Sequence, residues 1–265
     1  MDLQSKGANM KILALNATYR PNKTTTRLTR MALEGAASVG ADTEMVMLHD
    51  CKIGYCTNCL KCYKDLESEI PPCSLSDDVD TILEKIRDAD GIIFASPVHN
   101  GFVTGLMTVF FERMAWRVAR PGGTFLGVTM GLRSRLTSKT RALASISSAG
   151  GMPAKMRKHC DDGTPWIKGN APLILHGEWI GDVYAGAVLT KLPQTEEDWD
   201  TIFSLRKISE QQLREASDLG VKMAQTIKNR RLRPVTIENI VGPISRGIVK
   251  LVSLFSRPYE TIEGK

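Results

Sequence analysis

KILALNATYRPNKTTT, residues Lys11–Thr26, holds three successive textures. Lys11 to Ala17 is a short apolar run of the kind needed by a strand buried on both faces. It breaks into a loop carrying Thr18, Arg20 and Lys23, and a helix-like segment follows from about Thr25 to Val39. A strand, a polar loop and a helix N-terminus in that order make an anion site, because free backbone amides and the helix dipole point at the ligand. Thr18, Thr24, Thr25 and Thr26 can add hydroxyl donors, and Arg20 a charge. A solvated loop with a threonine-capped helix is the plain alternative. The stretch is not the glycine-rich dinucleotide fingerprint, and no G-x-x-x-x-G-K-[ST] occurs in the chain.

The same alternation repeats downstream. Asp42–Leu48 alternates as an outer strand should. Asp77 and Asp78 read as caps of a helix through about Asp88, with Val79, Ile82, Leu83 and Ile86 at helical spacing. Ile92–Val98 (IIFASPV) is the most strand-like segment and belongs at the centre; it ends in the polar, glycine-bearing loop SPVHNGFVTG before a helix over about Val103–Arg117. Residues 118–140 read as an insertion. Arg141–Ser148 is a further strand, and the Ala149-Gly150-Gly151 that ends it lets a flat ligand lie against backbone. Val183–Leu189 is the last strand, and Glu196 to about Arg231 is a charged helix or two. The lone pair His159-Cys160 is given no role.

Five alternations imply an α/β fold, a doubly wound parallel five-stranded sheet of flavodoxin-like order, over residues 1–231. In such sheets ligands bind outside the strand carboxyl ends at the switch point, here between the first and third strands. A phosphate-binding first loop, a flat second loop and a Gly-Gly third loop together suit flavin mononucleotide (FMN) better than a dinucleotide.

Five of the six cysteines fall in Cys51–Cys73, CKIGYCTNCLKCYKDLESEIPPC. Cys56, Cys59 and Cys62 follow at a three-residue step, and Cys73 closes the stretch behind Pro71-Pro72. So short a loop has no core in which to hide them. A C-x2-C-x2-C run with a further cysteine suits an iron–sulfur cluster. Structural zinc more often takes two well-separated pairs, and a redox dithiol needs only two thiols. Free surface thiols are the plain reading.

Composition bounds the rest. The chain has 265 residues, 42% hydrophobic and 24% charged, with a net charge of +6, ordinary for a soluble globular protein. The basic excess sits in Arg133–Lys158 and Lys222–Arg233 without interleaved aromatics, which is not a nucleic-acid footprint. No apolar run has the length of a membrane span and the N-terminus lacks an apolar signal core, so a cytoplasmic location with reduced thiols is expected. Residues 232–265 form an apolar C-terminal extension expected to be helical. Within it TIENIVGPISRGIVKLVSLF (Thr236–Phe255) reads as intersubunit packing in a homodimer or homotetramer, an interfacial membrane helix, or a lid over the flavin; the first is favoured because such patches are usually covered.

Four motifs in order carry a resemblance. NATYRPNKTTT resembles the phosphate loop of the NADPH-dependent FMN reductase superfamily, SPVHNGFVTGLMTVFFER its second signature and SSAGG its third. The cysteine stretch followed by DDVDTIL and ADGIIFASPV is similar to the iron–sulfur flavoproteins within it. The resemblance covers roughly residues 11–190. It implies an FMN phosphate held by Thr18, Arg20, Thr24, Thr25 and Thr26, with Pro97, Val98, His99 and Asn100 against the isoalloxazine and ribityl chain. Ala149, Gly150 and Gly151 would flank the ring's other side, and Cys56, Cys59, Cys62 and Cys73 would ligate a [4Fe-4S] cluster. The chain departs from the pattern in three places. Ten residues separate Cys62 from Cys73, more than usual, which leaves Cys51 competing for the fourth position. Met107 replaces the usual lysine, and the first loop reads Thr-Tyr-Arg where Ser-Pro-Arg is common. The activity implied is an oxidoreductase passing electrons between a two-electron donor or acceptor, such as NAD(P)H, and a one-electron carrier such as a ferredoxin. The rivals are a cluster-free NAD(P)H-dependent FMN/quinone reductase and a non-catalytic electron-transfer flavoprotein.

Overall fold

A computed structural model of the chain describes residues 10–122, 124–125, 128–129, 131–202 and 206–236. Its parallel strands are β1 (Lys11–Asn16), β2 (Asp42–Met47), β3 (Gly91–Pro97), β4 (Arg141–Gly150) and β5 (Gly177–Leu189), joined by β6 (Arg206–Lys207). The helices that cover them are α1 (Thr24–Ala37), α2 (Val79–Asp88), α3 (Gly105–Val118), α4 (Gly163–Ile174) and α5 (Glu210–Lys228). The sheet order is β6-β5-β4-β3-β1-β2. β1 to β5 pair in parallel, in the flavodoxin-like order, with β3 between β1 and β4. Among the described residues the sheet has six strands where five are expected. The sixth is only two residues long and runs antiparallel, with Arg206 opposite Leu189 and Lys207 opposite Val188.

β1 and β3 are buried almost throughout because helices cover both faces, and this is why they read as continuous apolar runs. β5 begins six residues before the expected Val183. Its first half (GEWIGD) is only partly buried and holds two glycines, so it carries no clean alternation. The insertion contains a short antiparallel pairing of Ala119–Pro121 with Leu132–Ser134. The expected 236–255 packing segment lies, beyond Thr236, outside the described residues. No helix among the described residues is long and apolar enough to cross a membrane.

One apolar layer lies under α2, α3 and α4, around Leu83, Phe94, Phe110 and Ile167. The other lies under α1 and α5, around Leu28, Ile93, Leu219 and Met223. There the two helices touch at backbone level. A Cβ on Gly220 would lie 1.7 Å from the Ala32 carbonyl oxygen, and one on Gly35 would lie 2.1 Å from that of Ser217. A helical glycine costs about 1 kcal/mol against alanine, so the close crossing is what keeps it. Gly220→Ala is expected to lower the unfolding free energy by about 1–3 kcal/mol through overpacking, despite alanine's better propensity. A denaturant titration showing a more stable variant would refute the crossing.

Candidate functional site

Asn16 ends β1 and fixes how the chain leaves it. Its buried carboxamide accepts from the Thr18 amide (3.0 Å) and donates to Thr29 Oγ1 (3.3 Å) and Thr26 Oγ1 (3.5 Å). Thr18 Oγ1 then accepts from the Arg20 amide at 3.2 Å. α1 begins after Lys23 with no side-chain cap, which leaves first-turn amides available to an anion. Thr25 Oγ1 and Ser148 Oγ lie 2.8 Å apart and tie this loop to the end of β4.

The loop after β3 is equally constrained. The Val98 amide donates to the Ser148 carbonyl (2.7 Å), and His99 and Phe102 exchange main-chain bonds of 2.8 and 3.0 Å. Asn100 and Gly101 between them have φ of +50° and +80°, a tight turn that suits Asn-Gly. The His99 ring stacks on Tyr19 with centroids 5.8 Å apart, and Tyr19 Oη accepts from the Leu106 amide at the start of α3 (3.2 Å).

These loops bound a cleft of about 420 Å3 at the carboxyl edge of the sheet. Thr18, Arg20, Thr24 and Thr25 line it from the first loop, Pro97, Val98 and His99 from the second, and Ala149 and Gly150 from the third. Three expected residues stand outside that lining. Thr26 is buried against Asn16, Asn100 sits exposed at the tip of its turn, and Gly151 bonds its amide to the Ala187 carbonyl (2.6 Å). Tyr19, Lys23, Ser148, Ala187 and Arg206 line the cleft without having been expected there. The first three lie inside the quoted motifs; Ala187 and Arg206 carry no local signal. Among the described residues no carboxylate lines this cleft.

The cysteine stretch leaves the same edge of the sheet, just beyond β2. Cys56, Cys59, Cys62 and Cys73 line one small cavity together with Arg113, Trp116 and Arg117 of α3. Cys51 stands apart: its thiol donates to the Met47 carbonyl (3.5 Å), packs on the apolar core, and is pushed up in pKa mainly by burial. Asn58 and Leu60, either side of Cys59, both adopt left-handed φ (50° and 57°). Asparagine tolerates that conformation, but a leucine holds it only where the surroundings over-determine it. The Ser74 hydroxyl, 3.0 Å from the Cys59 sulfur, and the Lys61 amide bring that thiol down to about 7.

Arg113 organises the loop. Its buried guanidinium donates to Asp77 Oδ2 (2.7 Å), Asp77 Oδ1 (3.1 Å), the Gly54 carbonyl (2.7 Å) and Cys73 Sγ (3.5 Å). Against the opposing effect of burial, the Arg113 bonds and the Gly54 amide hold the Asp77 carboxyl below its ordinary value. The paired acids are therefore mainly clasps and not the expected helix caps. Asp78 makes no side-chain cap and instead accepts from the Lys52 amide (2.6 Å), while Asp77's one bond to the helix start is a 3.3 Å bond accepted from the Val79 amide. Arg117, one turn beyond Arg113, bonds Asp80 through Nη2 (2.6 Å), yet its buried Nε and Nη1 have no partner among the described residues. A buried guanidinium seldom leaves donors unsatisfied, and these belong to a residue lining a thiol-walled cavity. Among the described residues no three His, Cys, Asp or Glu side chains are grouped so as to hold a metal ion. Four thiols and two guanidinium groups nevertheless line the same small cavity.

α3 joins the two places. Leu106 at its start touches Tyr19 of the cleft, and Arg113 of the cysteine cavity lies seven residues on, about 10 Å along the axis.

Residues 10–157, more than half of the chain, match the sequence profile of the NADPH-dependent FMN reductases. The chain belongs to the NADPH-dependent FMN reductase family. Among its curated relatives, an iron–sulfur flavoprotein of Methanocaldococcus jannaschii is 38% identical over 104 residues, covering 39% of this chain and 51% of the relative. An iron–sulfur flavoprotein of Archaeoglobus fulgidus is 35% identical over 133 residues, covering 47% and 61% respectively. The chain thus matches these relatives over about half to three-fifths of their length. The FMN reductase fold is also that of an FMN-dependent NADH-azoreductase from Bacillus anthracis (TM-score 0.55, 13% identity, 81% of this chain and 99% of that one). An NAD(P)H:quinone oxidoreductase from Methanothermobacter marburgensis shares it too (TM-score 0.54, 15% identity, 81% and 98%). Both cysteine motif and cleft loops fall inside the part that matches the FMN reductase family.

Proposed function

We propose that this FMN reductase family member is an oxidoreductase that binds FMN in the carboxyl-edge cleft and a [4Fe-4S] cluster on Cys56, Cys59, Cys62 and Cys73. It would pass electrons between a two-electron donor or acceptor, such as NAD(P)H, and a one-electron carrier of the ferredoxin type. The observation that carries this reading is the single cavity walled by four cysteines and edged by Arg117 donors that have no partner among the described residues. Family membership and the curated relatives, named iron–sulfur flavoproteins, support it. When bound, FMN supplies exchange of electron pairs or single electrons, and a cluster supplies exchange of one at a time.

The chain's own residues divide the remaining work. Thr18, Thr24, Thr25, the α1 amides and Arg20 offer hydrogen bonds and charge to a phosphate. The Tyr19–His99 stack forms a wall, and the Ala149-Gly150 backbone provides a flat edge. Arg113 and Arg117 would offset thiolate charge; Arg113 holds the loop against α3 through Gly54 and Asp77, and Arg117 holds α2 against it through Asp80. α3 sets a fixed span between the two sites.

A cluster-free FMN/quinone reductase is the second reading, favoured by the absence, among the described residues, of any group of three His, Cys, Asp or Glu side chains that could hold a metal ion. The Cys59→Ser variant separates them. We expect it to keep its flavin but to exchange electrons with a one-electron carrier at below about a tenth of the parent rate, given the 10–100-fold penalties typical of disturbed metal sites. Parent-like rates with both the carrier and a quinone, measured by stopped-flow absorbance, would leave the cysteines idle and favour the second reading.

A further inference from the structure

Arg206 comes from outside every motif of the cleft. It sits on β6, the two-residue antiparallel edge strand, and reaches back over the end of β4. A Cβ on Gly150 would lie 1.8 Å from Arg206 Nη1 and 2.4 Å from Cζ, so the guanidinium lies flat on a backbone that only glycine leaves open. Arg206 lines the same cleft as Arg20 and Lys23, so three cations face a space that, among the described residues, no carboxylate lines. Burial, and then the facing charge of Arg20, press the Arg206 guanidinium below its ordinary value. An anion lying between the two arginines relieves both effects, and guanidinium suits a phosphate through paired N–H donors.

We propose that Arg206 is a specificity-determining residue of the cleft: with Arg20 it clamps the phosphate of a phosphorylated flavin and makes the chain select FMN over unphosphorylated riboflavin. This rests on the flavin reading above and adds to it a residue that no cleft motif contains. The edge strand, through its pairing with β5, is then what brings the second half of the clamp to the first loop.

The test is a fluorescence-quenching titration of the full-length, flavin-stripped protein with FMN and, separately, with riboflavin. The parent is expected to prefer FMN. Arg206→Met keeps an unbranched stem and removes the guanidinium and its charge, and should weaken FMN about 10- to 100-fold, the range of a lost charged hydrogen bond. Riboflavin affinity should stay within about twofold, and that same binding reports an intact cleft. Arg206→Lys should recover part of the FMN preference, since the charge returns without the fork. Equal weakening of both flavins, loss of both, unchanged FMN affinity, or a lysine variant no better than methionine would each overturn the role of Arg206. Those results leave the flavin reading standing as long as the parent binds FMN. A parent that binds neither flavin would overturn that reading and the clamp with it.

Discussion

Cys73→Ser is expected to strip the iron from anaerobically purified protein, from about four per chain to well under one, while FMN stays bound. Spacing alone left Cys51 and Cys73 as competitors for the fourth position of the proposed cluster, and the two stand in different surroundings. Cys73 shares a cavity with Cys56, Cys59 and Cys62, and its sulfur takes a donor from Arg113, itself locked to Asp77 and Gly54. The ten residues between Cys62 and Cys73 are drawn back by Arg135, whose guanidinium donates to the carbonyls of Cys62 (3.3 Å), Asp65 and Ser68 (3.0 Å). Cys51 meanwhile is committed to Met47 and the apolar core. The matching control is Cys51→Ser, which should keep its full iron complement. Iron lost from the Cys51 variant and kept by the Cys73 variant, measured by colorimetric iron assay against protein, would reverse the ligand assignment.

The second large effect is structural. Arg141 opens β4 fully buried, at the amino edge opposite the cleft. Five main-chain carbonyls take its donors: Ile86 (3.1 Å), Arg87 (2.7 Å), Leu136 (2.9 Å), Lys139 (3.1 Å) and Leu175 (3.3 Å). Burial presses its guanidinium down to about 10, still charged at neutral pH. One side chain thus satisfies the carboxyl ends of α2 and α4 and the return from the insertion, groups that have no helical partner of their own. Arg141→Met should lower the unfolding free energy by about 3–5 kcal/mol, because several buried carbonyls lose their donor at once and each left unsatisfied costs about 1–3 kcal/mol. Arg141→Lys should recover little, since an ammonium has three donors and no fork. Chemical denaturation showing a loss under about 1 kcal/mol would mean that water replaces the guanidinium at no net penalty.

What the sequence discloses follows burial. KILALNA and IIFASPV announce β1 and β3 because strands covered on both faces must be apolar at every position. The polar segments just beyond them announce the cleft, because loops at strand carboxyl ends stay solvated and carry ligand contacts. Residues whose role depends on a distant partner give no such signal. Asp77 reads as a helix cap until Arg113, 36 positions away, is seen to hold it. Arg113 and Arg117 are buried where they line the cysteine cavity, and nothing local in the sequence announces it. β6 is too short to show a period, and Arg206 reaches the cleft only through its pairing with β5.

The most direct measurement is the iron-to-flavin ratio of the anaerobically purified, full-length chain, taken with its absorbance spectrum. About four irons and one FMN per chain, with flavin bands over a broad cluster absorbance, is the predicted result. One FMN with iron far below that stoichiometry would contradict it, leaving four thiols and two buried arginines around a cavity with no cluster to hold.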